Sequence, residues 1–136
     1  MPLVFVYGTL RAGEANDLNE AARRHGIAAP RLVGTGYVSG RLYDFGSYPG
    51  YVPAADGARV VGDIYEIDEA LIPVLDEIEE VYPGQASLFV RVEHPVECPD
   101  GAVSCLLYPV GEHAVAGLPP IPQGDWVSYR RARDAG

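Results

Sequence analysis

The chain has 136 residues, of which 48% are hydrophobic and 21% charged, and its formal net charge is −9. This length and composition fit one globular domain with a buried core and exclude a disordered chain. Because 10 basic residues stand against 19 acidic ones, the chain lacks the excess of Lys and Arg that polyanion binding requires. We therefore predict no nucleic-acid partner.

The opening segment predicts a buried strand that ends in a glycine turn. Residues 3–7 are apolar on both faces, as a strand buried on both sides would be. Gly8 and Thr9 then permit a sharp turn whose backbone N–H groups approach a ligand closely, although the same residues also fit an ordinary turn. Residues 16–25 carry apolar or small side chains at helical spacing, and Gly26 is a natural stop for that helix.

Further strands and a second helix are predicted in the middle of the chain. The β-like runs are 31–38, 41–45 and 59–67, with a loop containing two tyrosines at 47–51. Asp68 can cap a helix that runs to about residue 80. Because Pro73 lies inside this segment, either the first turn is irregular or the helix begins with Pro73 at its first position.

The two cysteines flank a predicted hairpin with strands at 87–96 and 102–109. In this hairpin Cys105 faces position 94 or 95 rather than Cys98, so we predict two free thiols, as is usual in the cytosol. No apolar run approaches the roughly 20 residues that cross a bilayer, and the start lacks the basic region and cleavage site of a signal peptide. We predict a cytoplasmic protein without a membrane partner.

The remaining residues set the predicted domain organisation. A proline-rich loop at 117–122 leads into Gly124-Asp125-Trp126, and the basic residues of 130–133 predict a solvated end. We assign 1–127 to a single domain and 128–136 to a C-terminal tail. Many short strands with two helices predict an α+β fold with a mostly closed sheet or barrel. The three histidines have no ligand spacing, so we predict no metal site.

One acid of the predicted helix lies beside its apolar face, which is formed by Leu71, Ile72, Val74, Leu75 and Ile78. At 100° per residue, Glu79 lies about 70° from the centre of that face, whereas Asp76 lies about 130° away and is predicted to be solvated. Desolvation raises the pKa of a carboxylate, which suits a general base or acid near neutral pH. Glu79 is therefore the candidate catalytic residue, unless it extends to water at the helix boundary.

Two further residue types are candidates for substrate binding. Arg91 lies on one face of its strand with Phe89 and Glu93, where it binds a substrate carboxylate, orients Glu79 or belongs to a solvated face. Tyr7 and Tyr108 either line a pocket or are core aromatics whose hydroxyls have partners. No Ser, Thr or Cys lies in a nucleophile motif with a histidine, so covalent catalysis is not supported.

Together these segments resemble the γ-glutamylcyclotransferase-like family, most closely its γ-glutamylamine cyclotransferase branch. The matching stretches occur in order from residue 4 to about 126: Val4-Phe5-Val6-Tyr7-Gly8-Thr9-Leu10-Arg11 with Gly13 and Asn16, Tyr48-Pro49-Gly50, Val61-Gly62 with Tyr65, Leu75-Asp76 with Glu79, Arg91, the strand of Tyr108, and Gly124-Asp125-Trp126. The first and fourth stretches are the most specific. One position departs from the family, since Phe89 stands where a tyrosine is usual, and this puts a polar role there in doubt.

The resemblance implies a small mixed β-barrel with flanking helices and a cavity beside the first strand. It implies conversion of a γ-glutamyl amine or amide into 5-oxoproline with release of the amine, without cofactor or metal. Its site residues would be Glu79 as proton acceptor and the substrate-binding residues Tyr7, Gly8, Thr9 and Leu10, with Arg91 and Tyr108 as further candidates. A non-catalytic binding protein and an amidohydrolase that uses water are the alternatives. The physiological γ-glutamyl compound and the oligomeric state are not readable from the sequence.

Overall fold

The computed structural model describes residues 2–11, 17–46, 48–54, 58–78, 91–99 and 101–135. The helices and strands in this part of the chain are, in order, β1 (Leu3–Val6), α1 (Leu18–Arg24), β2 (Arg31–Asp44), β3 (Pro49–Pro53), β4 (Arg59–Glu66), α2 (Ile72–Ile78), β5 (Val92–Cys98), β6 (Gly101–Leu107), β7 (Pro120–Ile121) and α3 (Trp126–Ala135). Short 3₁₀ turns lie at Glu69–Leu71 and Glu112–Val115. None of the helices within these ranges has the length and apolar character needed to cross a bilayer.

Five of the strands close into a barrel. Hydrogen-bonded neighbours follow the order β2, β4, β1, β6 and β5, and β5 returns to β2 at the pair Tyr37 and Glu97. β1 and β6 are parallel, whereas the other neighbouring pairs of the ring are antiparallel. β3 and β7 both pair with the end of β2. The predicted α+β fold, a small mixed β-barrel with flanking helices, is confirmed.

β1 lies between two apolar clusters. Phe5 and Tyr7 belong to the cluster that fills the barrel, whereas Val4 and Val6 pack with residues of α1 and α2 outside it. All four side chains are buried, so the prediction of a strand covered on both faces is confirmed. Full burial of one such side chain stabilises the fold by about 1.5–3 kcal/mol. Both clusters therefore hold β1, and with it the start of the glycine turn that follows.

The strands differ from the prediction at two places. The runs at 31–38 and 41–45 are one strand, β2, because its first part pairs with β4 and its last part with β3 and β7, so its glycines do not interrupt it. The predicted loop at 47–51 is also wrong. Pro49–Pro53 form β3, which pairs antiparallel with residues Gly40 to Asp44 of β2.

The second helix begins with an irregular turn. The Asp68 carboxylate accepts a hydrogen bond from the Ala70 backbone N–H at 2.9 Å, and a 3₁₀ turn at Glu69–Leu71 precedes α2. Pro73 is the second residue of α2, where a missing N–H costs no intrahelical bond. The first of the two predicted alternatives, an irregular first turn, is therefore confirmed. Residues 79 and 80, at the predicted end of the helix, lie outside the described residues.

The hairpin of β5 and β6 has the predicted register. Cys105 pairs with His94, Cys98 pairs with Gly101, and both cysteines are free thiols. Burial raises the pKa of the Cys105 thiol to about 11, so this thiol stays protonated at neutral pH. β5 begins at Val92, later than predicted, and residues 87–90 lie outside the described part of the chain.

The C-terminal residues form a helix where the sequence predicted a tail. α3 runs through the predicted boundary at residue 127 and continues to Ala135. Its residues 131–135 are exposed, as expected for a solvated end. However, the Arg133 guanidinium binds the Asp44 carboxylate at the end of β2, and Trp126 at the helix start is completely buried. These two contacts attach the helix to the barrel.

Candidate functional site

The predicted substrate-binding loop is a tight turn pressed against β3. The Arg11 backbone N–H donates to the Gly8 carbonyl at 3.0 Å, which closes the turn. A Cβ atom at position 8 would lie 2.6 Å from Cγ of Pro49, so only glycine allows this approach. The first and second motifs of the sequence therefore meet in the fold, because Pro49 belongs to the Tyr48-Pro49-Gly50 stretch.

The side chains of the loop differ in accessibility. Gly8 and Leu10 are buried, whereas Thr9 is half-buried. Leu10 packs in the cluster outside the barrel, and its carbonyl accepts a hydrogen bond from the Leu18 N–H at 3.1 Å. The Leu10 side chain therefore anchors the loop in the core, and any contact of this residue with a ligand must use its backbone.

Tyr7 joins the loop to two other strands through its hydroxyl. The hydroxyl donates to the Tyr108 carbonyl at 2.6 Å and accepts from the Tyr51 N–H at 3.2 Å. The side chain is buried. Tyr7 thus fixes the end of β1 to the residue after β6 and to β3, and its structural contacts account for a buried tyrosine with a satisfied hydroxyl.

Arg11 fixes the other end of the loop. Its Nε lies 3.3 Å from Oδ2 of Asp63 on β4, and its Nη1 lies 3.2 Å from Oδ1 of Asp125 before α3. The Arg11 side chain is only 14% exposed, so these ion pairs are poorly screened by water. The partners are 52 and 114 residues away in sequence. No local pattern could identify them.

Each residue of Gly124-Asp125-Trp126 has a separate structural duty. Gly124 has φ +65°, and a Cβ there would lie 1.8 Å from the Arg59 carbonyl oxygen. Asp125 accepts from the Ser128 N–H at 3.2 Å, which caps α3, and it also binds Arg11. Trp126 fills the barrel cluster. This motif therefore supports the predicted substrate-binding loop through the contact of Asp125 with Arg11.

Tyr108 and Arg91, both predicted as substrate-binding residues, meet at a residue that the sequence analysis placed in solvent. The Tyr108 hydroxyl donates to Oδ1 of Asp76 at 2.7 Å, and Nη1 of Arg91 binds Oδ2 of the same carboxylate. The Asp76 side chain is 22% exposed. The prediction that Asp76 is an ordinary solvated charge is therefore wrong.

The error at Asp76 has a cause in tertiary structure. A helical projection places Asp76 away from the apolar face of α2, but it cannot show that Tyr108 and Arg91, at the ends of the hairpin strands, approach that other side of the helix. The signal that identifies the pair is Tyr108 itself, since a buried phenol needs a hydrogen-bond partner.

Glu79, the candidate catalytic residue, lies outside the described residues, as does Phe89. The last described residue of α2 is Ile78. The apolar side predicted for this helix is confirmed at Leu71, Val74 and Leu75, which are buried. The role of Glu79 stays a prediction.

A groove of about 410 Å³ lies between β2, β3 and the turn at Glu112–Val115. Its walls combine apolar side chains with one acid, one base and one tyrosine: Arg41, Tyr43, Val52, Ala54, Glu112, Val115 and Ala116. Val52 belongs to β3, the strand whose first residue touches Gly8.

Tyr51, the neighbour of Val52 on β3, is completely buried in the barrel and its hydroxyl donates to the Ser39 carbonyl at 2.5 Å. Burial raises the pKa of Tyr51 to about 12.

Comparisons with known proteins agree with the motifs. The family model described as "Gamma-glutamyl cyclotransferase, AIG2-like" matches residues 4–128. A protein of Halalkalibacterium halodurans, provisionally named a gamma-glutamylcyclotransferase, is 40% identical over 95 residues, covering 68% of this chain and 83% of that one. The gamma-glutamylaminecyclotransferase of Mus musculus is 32% identical over 126 residues, covering 84% of this chain and 81% of that one. The crystal structure of an AIG2-like protein from Mus musculus superposes with a TM-score of 0.73 at 26% identity, covering 90% of this chain and 86% of that one. Because the family model matches almost the whole sequence, the chain belongs to the gamma-glutamyl cyclotransferase, AIG2-like family.

Proposed function

We propose that this protein converts a γ-glutamyl amine or amide into 5-oxoproline and releases the amine. The observation that carries the proposal is a continuous series of hydrogen bonds from the glycine loop to α2. It runs from Tyr7 to Tyr108, from Tyr108 to Asp76 and from Asp76 to Arg91. This series connects the loop to α2, and we assign Glu79, which follows α2 in the sequence, to the same site.

The reaction needs little from the protein because the substrate supplies its own nucleophile. The α-amine attacks the γ-carbonyl carbon, a five-membered ring closes, and the bond to the leaving amine breaks. Since the attack is intramolecular, the protein contributes geometry and proton transfer. Glu79 accepts the proton that the α-ammonium loses and returns it to the leaving amine, a role worth about 10²–10⁴ in rate.

The loop and Arg91 are assigned to the negative charges of the reaction. The substrate carries an α-carboxylate, and an oxyanion develops on the γ-carbonyl as the tetrahedral intermediate forms. Backbone N–H groups of Gly8, Thr9 and Leu10 suit one of these anions. The guanidinium of Arg91 suits the carboxylate because its planar fork matches two oxygens. Tyr108 helps to hold Arg91 in position, because its hydroxyl donates to the Asp76 carboxylate that binds Arg91.

We assign the released amine to the groove beside β3. The apolar side chains in its walls suit a carbon chain, while Glu112 and Arg41 offer charges to a polar end of the leaving group. We also assign Tyr48 to the surroundings of the leaving group; its ring stacks on Phe45 with centroids 5.2 Å apart. Tyr51 is not assigned to the leaving group because it is buried in the barrel. A cytoplasmic location and the absence of a cofactor stay predictions.

The test is a panel of γ-glutamyl compounds assayed by mass analysis for 5-oxoproline, with Glu79→Gln as the key variant. We expect this nearly isosteric change to reduce 5-oxoproline release by about 10²–10⁴. Glu77→Gln is the matched control, because it makes the same change on a nearby exposed residue of α2.

The outcomes separate the rival functions. Free glutamate in place of 5-oxoproline would indicate an amidohydrolase that uses water. Binding without turnover across the panel would indicate a binding protein. Substantial 5-oxoproline release by Glu79→Gln would remove Glu79 from the mechanism.

A further inference from the structure

The carboxylate of Asp76 joins α2 to both strands of the hairpin. Its Oδ1 accepts the hydroxyl of Tyr108, which follows β6, and its Oδ2 binds Arg91, which precedes β5. We propose that Asp76 is a positioning residue that holds the Arg91 guanidinium where it binds the carboxylate of the γ-glutamyl substrate. This inference rests on the proposed function.

Arg91 needs such a support because of its place in the fold. It lies immediately before β5, outside the strand, and its side chain is 38% exposed. An arginine in that position samples many rotamers, and binding a ligand would cost the entropy of fixing it. A guanidinium that Asp76 already holds binds a carboxylate without that cost.

The contact with Asp76 occupies one nitrogen of the guanidinium. Within the described residues this contact uses the Nη1 nitrogen of Arg91, whereas a guanidinium has five N–H donors spread over three nitrogens. We assign the remaining donors to the substrate carboxylate, which can approach them while Asp76 stays bound.

The position of Asp76 is itself determined by the core. Tyr108 is 3% exposed, its hydroxyl donates to Asp76 at 2.7 Å, and its carbonyl accepts the hydroxyl of Tyr7. An ordinary surface ion pair has no such support. The pair of Arg31 and Glu66, for example, joins side chains that are 66% and 33% exposed. The geometry of Arg91 is thus tied to the glycine loop through two intervening residues.

Asp76→Asn tests the inference, because it keeps the shape of the side chain and removes its charge. We expect KM for the γ-glutamyl substrate to rise about tenfold with kcat within about threefold of wild type, since one charge-assisted contact is lost from binding. Glu77→Gln should leave both constants and the melting temperature unchanged. Asp76→Glu, which keeps the charge, should have a KM between those of Asp76→Asn and the wild type.

A double-mutant cycle with Arg91→Gln shows whether Asp76 acts through Arg91. We expect Asp76→Asn to add no further rise in KM when Arg91 is already replaced. Three results would overturn the inference. They are a KM for the double variant that equals the product of the two single increases, a KM of Asp76→Asn equal to wild type, and a loss in Asp76→Asn that is confined to kcat. If Asp76→Asn does not fold, Tyr108→Phe removes one of the two contacts of the carboxylate and should raise KM by about threefold.

A measurement independent of activity separates this inference from the proposed function. The Nε–H resonance of Arg91, assigned by its loss in Arg91→Lys, should be sharp in the wild type and in Glu77→Gln but broadened in Asp76→Asn. An unchanged resonance in Asp76→Asn would overturn the inference. If the wild type releases no 5-oxoproline, the proposed function fails, while a broadened resonance still supports the anchoring of Arg91 by Asp76.

Discussion

Asp76 and Asp44 bind the same two kinds of group, a tyrosine hydroxyl and an arginine guanidinium, and they differ in what else surrounds them. The Tyr108 hydroxyl lies 2.7 Å from Asp76, and the Tyr129 hydroxyl lies 2.7 Å from Asp44. Asp44 also accepts from the Gly46 N–H at 2.6 Å. The Asp44 side chain is 9% exposed, compared with 22% for Asp76.

Asp44 with Tyr129 and Arg133 is called the Asp44 cluster, and Asp76 with Tyr108 and Arg91 the Asp76 cluster. The arginines of these two clusters are used differently. Nη1 of Arg133 contacts both oxygens of Asp44 and donates to the Gly46 carbonyl at 2.6 Å, and the guanidinium lies 5.4 Å from the centre of the Trp126 ring. Arg133 therefore has several protein partners. The Arg91 side chain, which is 38% exposed compared with 33% for Arg133, lies beside the predicted site. The comparison teaches that one combination of side chains attaches a helix at Asp44, where the carboxylate is more deeply buried, and holds an arginine beside the predicted site at Asp76.

The Asp44 cluster should dominate stability, and its loss is the largest effect we expect. Asp44→Ala removes the acceptor of the Tyr129 hydroxyl and one carboxylate partner of Arg133, and it should lower the free energy of unfolding by about 3 kcal/mol. The kcat and KM of the remaining folded protein should be unchanged. Chemical denaturation and steady-state kinetics test the two statements, and a KM changed more than about threefold would contradict the division of roles.

The pH dependence of the stability lost in Asp44→Ala shows whether the charge of the Asp44 carboxylate causes that loss. Burial alone would raise the pKa of Asp44, but the hydrogen bonds from Tyr129, Gly46 and Arg133 together hold it below its ordinary value of 3.8. A carboxyl whose pKa is lower in the folded state stabilises the fold above its unfolded pKa, and this contribution is lost as pH falls through the folded pKa. The difference between wild type and Asp44→Ala should therefore narrow below about pH 4. Asp134→Ala, which removes an exposed partner of Arg133, is the control and should cost less than about 0.5 kcal/mol.

Arg11 joins the predicted substrate-binding loop to β4 and to the start of α3, and its replacement should affect both stability and binding. Arg11→Met keeps the alkyl chain and removes the pairs with Asp63 and Asp125. We expect a loss of about 2 kcal/mol in the free energy of unfolding, because two partly buried acids lose their partner. KM should also rise, because the end of the binding loop is released. Arg31→Met, which breaks the exposed pair with Glu66, should change neither quantity, and equal losses in the two variants would show that Arg11 has no special role.

The smallest expected effects distinguish the two tyrosines. Tyr129→Phe and Tyr108→Phe each remove one hydroxyl, and each should lower Tm by about 3 °C. Only Tyr108→Phe should also raise KM, because its acceptor Asp76 holds Arg91. Thermal melts and kinetics on the pair of variants test this. A rise in KM for Tyr129→Phe alone would reverse the assignment of the two clusters.

The sequence predicted those features that depend on neighbouring residues. The double-sided burial of β1 and the opposition of Cys105 and His94 follow from strand periodicity and turn length. The continuity of β2 could not be predicted from its own residues. Its glycines favour an interruption, and only pairing with β3, β4 and β7 overrides that preference.

The candidate site was predictable in part for the same reason. Tyr7 and Tyr108 were identified as individual residues, but their mutual contact and the part played by Asp76 depend on tertiary structure. The partners of Asp76 lie at the ends of the hairpin strands, and the periodicity of α2 alone cannot reveal them. The two partners of Arg11 likewise lie far from it in sequence.

The hydrogen bond between Tyr7 and Tyr108 joins residues that are 101 positions apart. It has a consequence for the order of folding. β1 and the loop after it are synthesised early. The Tyr108 carbonyl, which accepts the Tyr7 hydroxyl, and β6, the parallel neighbour of β1, are supplied only when most of the chain exists. Closing a loop of this length has to precede the contacts that stabilise it, which slows folding. A nascent chain that ends before β6 therefore carries the predicted substrate-binding loop without the strand that fixes its shape, and that shape is complete only after the barrel has closed.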